Sequence, residues 1–191
     1  MSDRDIVVVV ISLEPIRFIA DTDANKKMAL TAMHEILSMS NVATNIDEWV
    51  LAGHSAGAFT AVKLAFEMKP DISKLVLCGI GCNYLDKDKT LRDASVQALV
   101  INGSEDNIVN RLSEKDRESF RNSLPPTSRE GKGKGKTTHT TIEGGNHAGF
   151  GHYGPQNRDG IRTIALEEQQ RIFIEKTVEF LSGNDETKKE K

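Results

Sequence analysis

The stretch "EWVLAGHSAGAF", Glu48 to Phe59, reads as a short strand that runs into a helix through Gly-His-Ser-Ala-Gly. A serine flanked at two residues on each side by glycine sits at the sharpest corner of the chain. The bare pattern is weak, because Gly53, Ser55 and Gly57 fix only three positions. It arises by accident about once in ten to twenty chains of this length. Its weight comes from what surrounds it.

Working outward, apolar β-branched runs alternate with helical patterns. A strand is expected over Ile6–Ile11, covered on both faces because its apolarity is unbroken. A helix is expected over Asp23–Met39, with Ala29, Met33, Ile36 and Leu37 on one face and Asp21 or Asp23 as cap. Trp49–Ala52 is the strand entering the serine corner. The helix from Ala56 carries Val62, Ala65 and Met68 and stops before Pro70. Leu75–Ile80 and Gln97–Ile101 are the third and fourth strands, joined by the polar crossover Asn83–Ser95. Ser113 opens a helix ending near Leu124, ahead of Pro125 and Pro126. Thr137–Ile142, rich in threonine, is the fifth strand and suits an edge. A final helix places Ile174, Val178 and Leu181 at i, i+4 and i+7, with Gly183 as its stop.

This alternation predicts an α/β fold: a mostly parallel sheet with helices on both faces. One domain over residues 1–183 follows, with a mobile loop at 125–136 and a disordered polar tail at 184–191. A lid role for Arg129–Lys136 is weaker than that of a solvated connection. In such sheets chemistry gathers at the carboxyl ends of the strands. Partners for Ser55 should therefore leave the ends of later strands.

They do. After the fourth strand comes "NGSEDNIV", with Asp106 and its neighbour Glu105; after the fifth comes "EGGNHAGFGHYG", with His147. The order Ser55, Asp106, His147 is that of nucleophile-elbow hydrolases. A serine hydroxyl is a poor nucleophile at neutral pH and needs a base beside it. His147 is the candidate base, and Asp106 would fix its tautomer and stabilise the imidazolium. The amide of Ala56 would face the oxyanion. Side chains at Gly53 and Gly57 would collide with the neighbouring strand and helix. The duller readings are that Ser55 caps its helix, Asp106 closes an Asx turn, and His147 is a structural loop residue rivalled by His152. His54 and His34 read as packing or surface residues. Phe18, Phe150 and Tyr153 are candidate site-lining residues.

Other chemistries fit less well. The net charge of −3, from 25 basic and 28 acidic residues, argues against a nucleic-acid partner. His139, His147 and His152 lack the spacing of a zinc site, so no metal is expected. "EGKGKGKT" precedes a strand, whereas a phosphate loop follows one. Cys78 and Cys82 make no disulfide framework, and Cys78 reads as a small buried residue. The run Ile6–Ile11 is far below the roughly 20 residues of a membrane span. It also lacks a basic leader. A cytoplasmic location is the resulting expectation.

With these residues in place, the chain resembles the alpha/beta hydrolase superfamily, and within it the alpha/beta hydrolase fold-5 subgroup. The marker is "IEGGNHAGFGHYGPQNRDG", Ile142 to Gly160, followed by "ALEEQQ". That resemblance favours His147 over His152. It implies hydrolysis of a small-molecule ester or related acyl bond through an acyl-serine, without a cofactor. Gly149 stands where the subgroup usually has glutamine, and His152 where an acidic residue is common. The larger departure lies at the front. The resemblance calls for a central strand beside the serine strand, ending in a glycine-containing loop that gives a second oxyanion amide. No glycine precedes Gly53. Ala56 is thus the one identifiable donor, and a strand position beside the serine strand is left open. An incomplete N-terminus, a neighbouring copy or a closed-up sheet would each account for that. The oligomeric state is not legible here. A hydrolase-like binding module without turnover is the rival reading.

Overall fold

The computed structural model describes residues 8–10, 22–39, 46, 48–68, 71–82, 90–127, 135–152 and 154–183. Four strands form one parallel sheet in the order β1-β2-β3-β4: β1 Trp49–His54, β2 Ile72–Cys78, β3 Gln97–Gly103 and β4 Lys136–Ile142. The connections carry α1 Thr22–Ser38, before β1, then α2 Ala56–Met68, the short α3 Asn107–Asn110, and α4 Glu114–Ser123. A 3-10 turn at Ala148–Phe150 and α5 Leu166–Leu181 follow β4.

The period of two in the strands sorts their side chains between two cores. Leu75, Leu77, Ala98 and Val100 join Ala58, Val62, Ala65 and Met68 of α2, with Ala29 of α1 and Phe120 of α4. On the opposite face Val76, Cys78, Leu99, Ile101 and Ile142 receive Ile172, Phe173, Phe180 and Leu181 of α5. Helices therefore cover both faces, which is why β2 and β3 tolerate unbroken apolar sequence. Among the described residues β4 lies at an edge, as its threonines suggested. Ser113 caps α4, its hydroxyl accepting the Asp116 N–H at 3.1 Å. Gly183 follows α5 at φ +70°.

Several expectations need correction. Strand β2 starts at Ile72 and ends at Cys78, because Gly79 turns to φ +59° and leaves the ladder. On α1 the buried face is Ala29 and Ile36 with Leu30 and Met33 against them, while Leu37 is exposed. Asp21 lies outside the described residues, and Asp23 already stands in the first turn of α1. On α5 Ile174 and Val178 are 57% and 48% exposed, since Phe173 and Phe180 offer larger surfaces to the sheet. At 125–136 only the two ends are described. Pro125 is buried, Thr137 Oγ1 donates to its carbonyl at 2.6 Å, and Gly135 is wedged against the Ala94 and Val96 carbonyls. Residues 128–134, and the tail 184–191, lie outside the described residues.

The strand expected over Ile6–Ile11 is not met at Val8–Val10, which belong to no strand; Val8 and Val10 are 77% and 87% exposed. The remainder of that run is not described. Among the described residues β1 pairs only with β2, and Ala52 is exposed. An apolar run is buried on both faces only where a sheet edge and two helical layers receive it.

Candidate functional site

β1 hands the chain to α2 through Ser55, which holds φ +53°. A non-glycine residue in the left-handed region is strained, by about 1 kcal/mol or more. The surroundings hold it there. Ser55 N–H donates to the Cys78 carbonyl at 2.8 Å, extending the β1–β2 ladder by one bond, and the Ser55 carbonyl accepts from Ala58 and Phe59. A Cβ at Gly53 would stand 2.3 Å from the Gly57 carbonyl oxygen and 2.6 Å from the Ala58 nitrogen. Only glycine lets the helix backbone come this near. At Gly57 the expectation of a collision is wrong: a Cβ there meets nothing within 4 Å. The close approach is made by the backbone of residue 57 upon position 53, so only one of the two glycines has to be bare. Ala56 opens α2, where the first-turn amides have no acceptor within the helix.

The acid and the histidine come from β3 and β4, whose ends are fastened together. Ser104 N–H donates to the Ile142 carbonyl at 3.0 Å and Glu105 N–H to the Gly145 carbonyl at 2.8 Å. Ser104 Oγ accepts from Gly144 N–H at 2.8 Å. Gly103 allows this, because a Cβ there would lie 2.1 Å from the Gly145 oxygen. The result is a 2.8 Å bond between Asp106 Oδ2 and His147 Nδ1, both side chains 0% exposed. The other oxygen, Oδ1, accepts the Val109 N–H at 3.0 Å and caps α3. Asp106 thus closes a local turn with one oxygen and meets His147 with the other. Glu105 does not pair with His147.

Three residues not singled out in the sequence hold the histidine loop. Asp159 accepts N–H bonds from His147 at 3.2 Å, Ala148 at 2.8 Å and Gly160 at 2.7 Å, which caps the Ala148–Phe150 turn. Gln169, fully buried on α5, accepts from Asn146 N–H at 3.1 Å and donates to the Asn146 carbonyl at 2.8 Å. Asn146 in turn donates to the Gly160 carbonyl and accepts from Gly149 N–H. Gly149 faces Gln169, where a Cβ would come within 2.0 Å of Oε1. The signal was present: Asp159 and Gln169 both fall in the marker stretch and the glutamine-rich helix start.

His152 and His34 are exposed, and His139 lies on β4, away from the buried pair. Among the described residues no group of three or more His, Cys, Asp or Glu side chains could hold a metal ion. His54 packs on His147, with ring centroids 4.6 Å apart. Burial first, then the His147 charge, lowers the His54 pKa from 6.5 to about 4, against smaller opposing effects of Asp106, a hydrogen bond to the His147 backbone, and Asp159. Burial likewise pushes the Cys78 thiol up to about 12, which leaves it inert. Phe150 stacks beside His54 and meets Phe173 edge-on; Phe18 and Tyr153 lie outside the described residues. His147 Nε2 is buried and has no hydrogen-bond partner among the described residues. The Ser55 hydroxyl therefore does not close the third contact here, although His54, its chain neighbour, touches the His147 ring.

A family model for the alpha/beta hydrolase family matches residues 22–171. The chain belongs to that family. The match takes in Ser55, Asp106 and His147. No curated protein matches the chain. Among solved structures, an alpha-beta serine hydrolase homologue from Coxiella burnetii is similar at 15% identity and a TM-score of 0.52, over 82% of this chain. The chain spans 60% of that protein's length. A marine microorganism esterase is similar at 15% identity and a TM-score of 0.47, over 84% of this chain and 78% of its own. Among the described residues no helix is long and apolar enough to cross a membrane.

Proposed function

We propose that the chain is a serine hydrolase that cleaves an ester or related acyl bond of a small molecule through an acyl-serine intermediate. The observation that supports this most is the buried Asp106–His147 pair, whose imidazole meets the ring of His54, the residue before a serine at positive φ. In this reading His147 Nε2 takes the Ser55 proton while Oγ attacks the acyl carbon. Nδ1–H stays on Asp106, whose charge stabilises the imidazolium. The proton then passes to the departing alkoxide, and water repeats the sequence to release the acid. Ala56 N–H and the start of α2 face the oxyanion. The unpartnered Nε2 is the atom this role needs, and rotation of the Ser55 hydroxyl toward it on substrate binding is ordinary for such sites.

A second reading has one observation in its favour: the outer edge of β1 has no strand beside it among the described residues. A hydrolase-like binding module would not need a second oxyanion donor, whose loss costs about 3–4 kcal/mol of transition-state stabilisation. A fluorophosphonate probe separates the two. Labelling that vanishes in Ser55→Ala supports the enzyme; a folded protein that takes no label supports the binding module.

A further inference from the structure

His54 is a half-buried ionisable group at the elbow to which the catalytic scheme gives no part. Its ring lies between two others, with its centroid 4.6 Å from that of His147 at a tilt of 48° and 5.5 Å from that of Phe150. Both imidazoles rest over Gly79. A Cβ there would stand 2.8 Å from His147 Cε1, 2.9 Å from its Nδ1 and 3.0 Å from His54 Cδ2. This floor is itself fixed. Gly79 N–H donates to the Ile101 carbonyl at 3.1 Å, and the Asn102 amide brackets the backbone of Ile80 with bonds of 3.0 and 3.1 Å.

The His147 ring thus has the Asp106 carboxylate at Nδ1, the Gly79 backbone against one part and the His54 ring against another. The terminal torsion of an imidazole is broad and roughly two-fold, so one hydrogen bond alone leaves the ring free to swing or flip. A flip would take Nδ1 off Asp106 and turn a carbon toward the serine. Burial first, and then His147, lowers the His54 pKa, which makes it a poor second base. We propose that His54 is a positioning residue: its ring is the wall that holds the His147 imidazole in the single orientation with Nδ1 on Asp106 and Nε2 open to Ser55. This rests on the hydrolase reading given above.

Two substitutions test it. His54→Phe keeps a flat ring of similar size and removes both nitrogens; His54→Ala removes the wall. With a small activated ester, His54→Ala lowers kcat about 10- to 100-fold and leaves KM within about twofold, while His54→Phe stays within about threefold of the unaltered chain. A readout independent of turnover is the proton resonance of His147 Nδ1–H, shielded from exchange by Asp106. It persists in His54→Phe and is lost in His54→Ala, with melting curves confirming a folded chain. Should His54→Ala not melt cooperatively, His54→Leu takes its place, filling the space without a planar ring. A His54→Ala protein that keeps the resonance and kcat overturns the proposal, as does a His54→Phe protein as impaired as His54→Ala. If the unaltered chain neither takes a fluorophosphonate nor turns over ester, the hydrolase reading falls, and the resonance alone then decides for or against the wall.

Discussion

Replacing each elbow glycine by alanine separates two residues that look equivalent in Gly-His-Ser-Ala-Gly. In Gly53→Ala the new methyl would sit 2.3 Å from the Gly57 oxygen, 2.4 Å from its carbonyl carbon and 2.6 Å from the Ala58 nitrogen. Ordinary van der Waals contact starts at 3.4 Å, and the obstructing atoms are backbone, which cannot swing aside. The first turn of α2 must retreat from β1 by about 1 Å, at an overpacking cost of about 1–3 kcal/mol. Gly57→Ala meets open space inside a helix, where alanine is better than glycine by up to about 1 kcal/mol. The two variants should therefore differ by about 1–4 kcal/mol, with opposite signs relative to the unaltered chain. Urea denaturation of the three proteins measures this directly. Fluorophosphonate labelling should slow in Gly53→Ala, because Ser55 and the Ala56 amide both ride on the displaced turn. Equal losses at the two positions, or a larger one at Gly57, would refute the assignment of the contact.

Three further predictions follow from the site. Asp106→Asn keeps an acceptor for the Val109 amide and should leave stability close to unchanged while kcat falls by about 10⁴-fold; Asp106→Ala should also lose the α3 cap, worth about 1 kcal/mol, and a comparison of melts with rates tells these apart. Ser55→Gly relieves the left-handed strain and should raise stability by about 1 kcal/mol while abolishing labelling; a less stable glycine variant would show the elbow to be unstrained. The third concerns acid. His54 titrates at about 4 in the folded chain against 6.5 ordinarily, so the unfolded chain takes up the proton first as pH falls. Its contribution is complete above pH 6.5 and is lost between 6.5 and 4, amounting to at most about 3 kcal/mol. The groups facing it are His147, Asp106 and Asp159. His54→Phe should lose less stability than the unaltered chain between pH 7 and pH 4.5 in urea titrations, and equal losses would contradict the burial of His54.

Much of this was readable in the chain because the fold writes itself as periodicity. β2 and β3 are buried on both faces, so their apolarity is continuous and their positions plain. The elbow and the acid and histidine loops stand at strand ends, where the topology requires them. What escaped notice depends on three-dimensional choice. On α5, Ile172, Phe173, Ile174, Val178, Phe180 and Leu181 supply two adjoining apolar stripes, and spacing alone cannot say which meets the sheet. The larger Phe173 and Phe180 do. Gln169 is a polar core residue that a hydrophobic pattern excludes, and its role appears only once Asn146 is opposite it. Asp159 acts over a separation of 12 residues on the His147 amide, a distance no local motif encodes. The contrast between Gly53 and Gly57 is likewise invisible in a symmetric motif.

The site has two unequal halves. Asp106 and His147 sit on the loops after β3 and β4, are sealed from solvent, and are tied to each other through Ser104, Glu105, Asp159, Asn146 and Gln169, so that every loop bearing on the pair has a second anchor. Ser55 directly follows β1, which has one strand neighbour among the described residues and reaches the other half through the Ser55–Cys78 bond and the His54–His147 contact. Local opening is governed by how few contacts must break. The acid–base pair should therefore stay formed under conditions in which the serine corner moves, and the unpartnered Nε2 marks the seam between them. A substrate bound at the elbow would have to hold that seam closed. Anything packed against the outer edge of β1 would tighten the same seam, because it would restrain the strand that leads into Ser55.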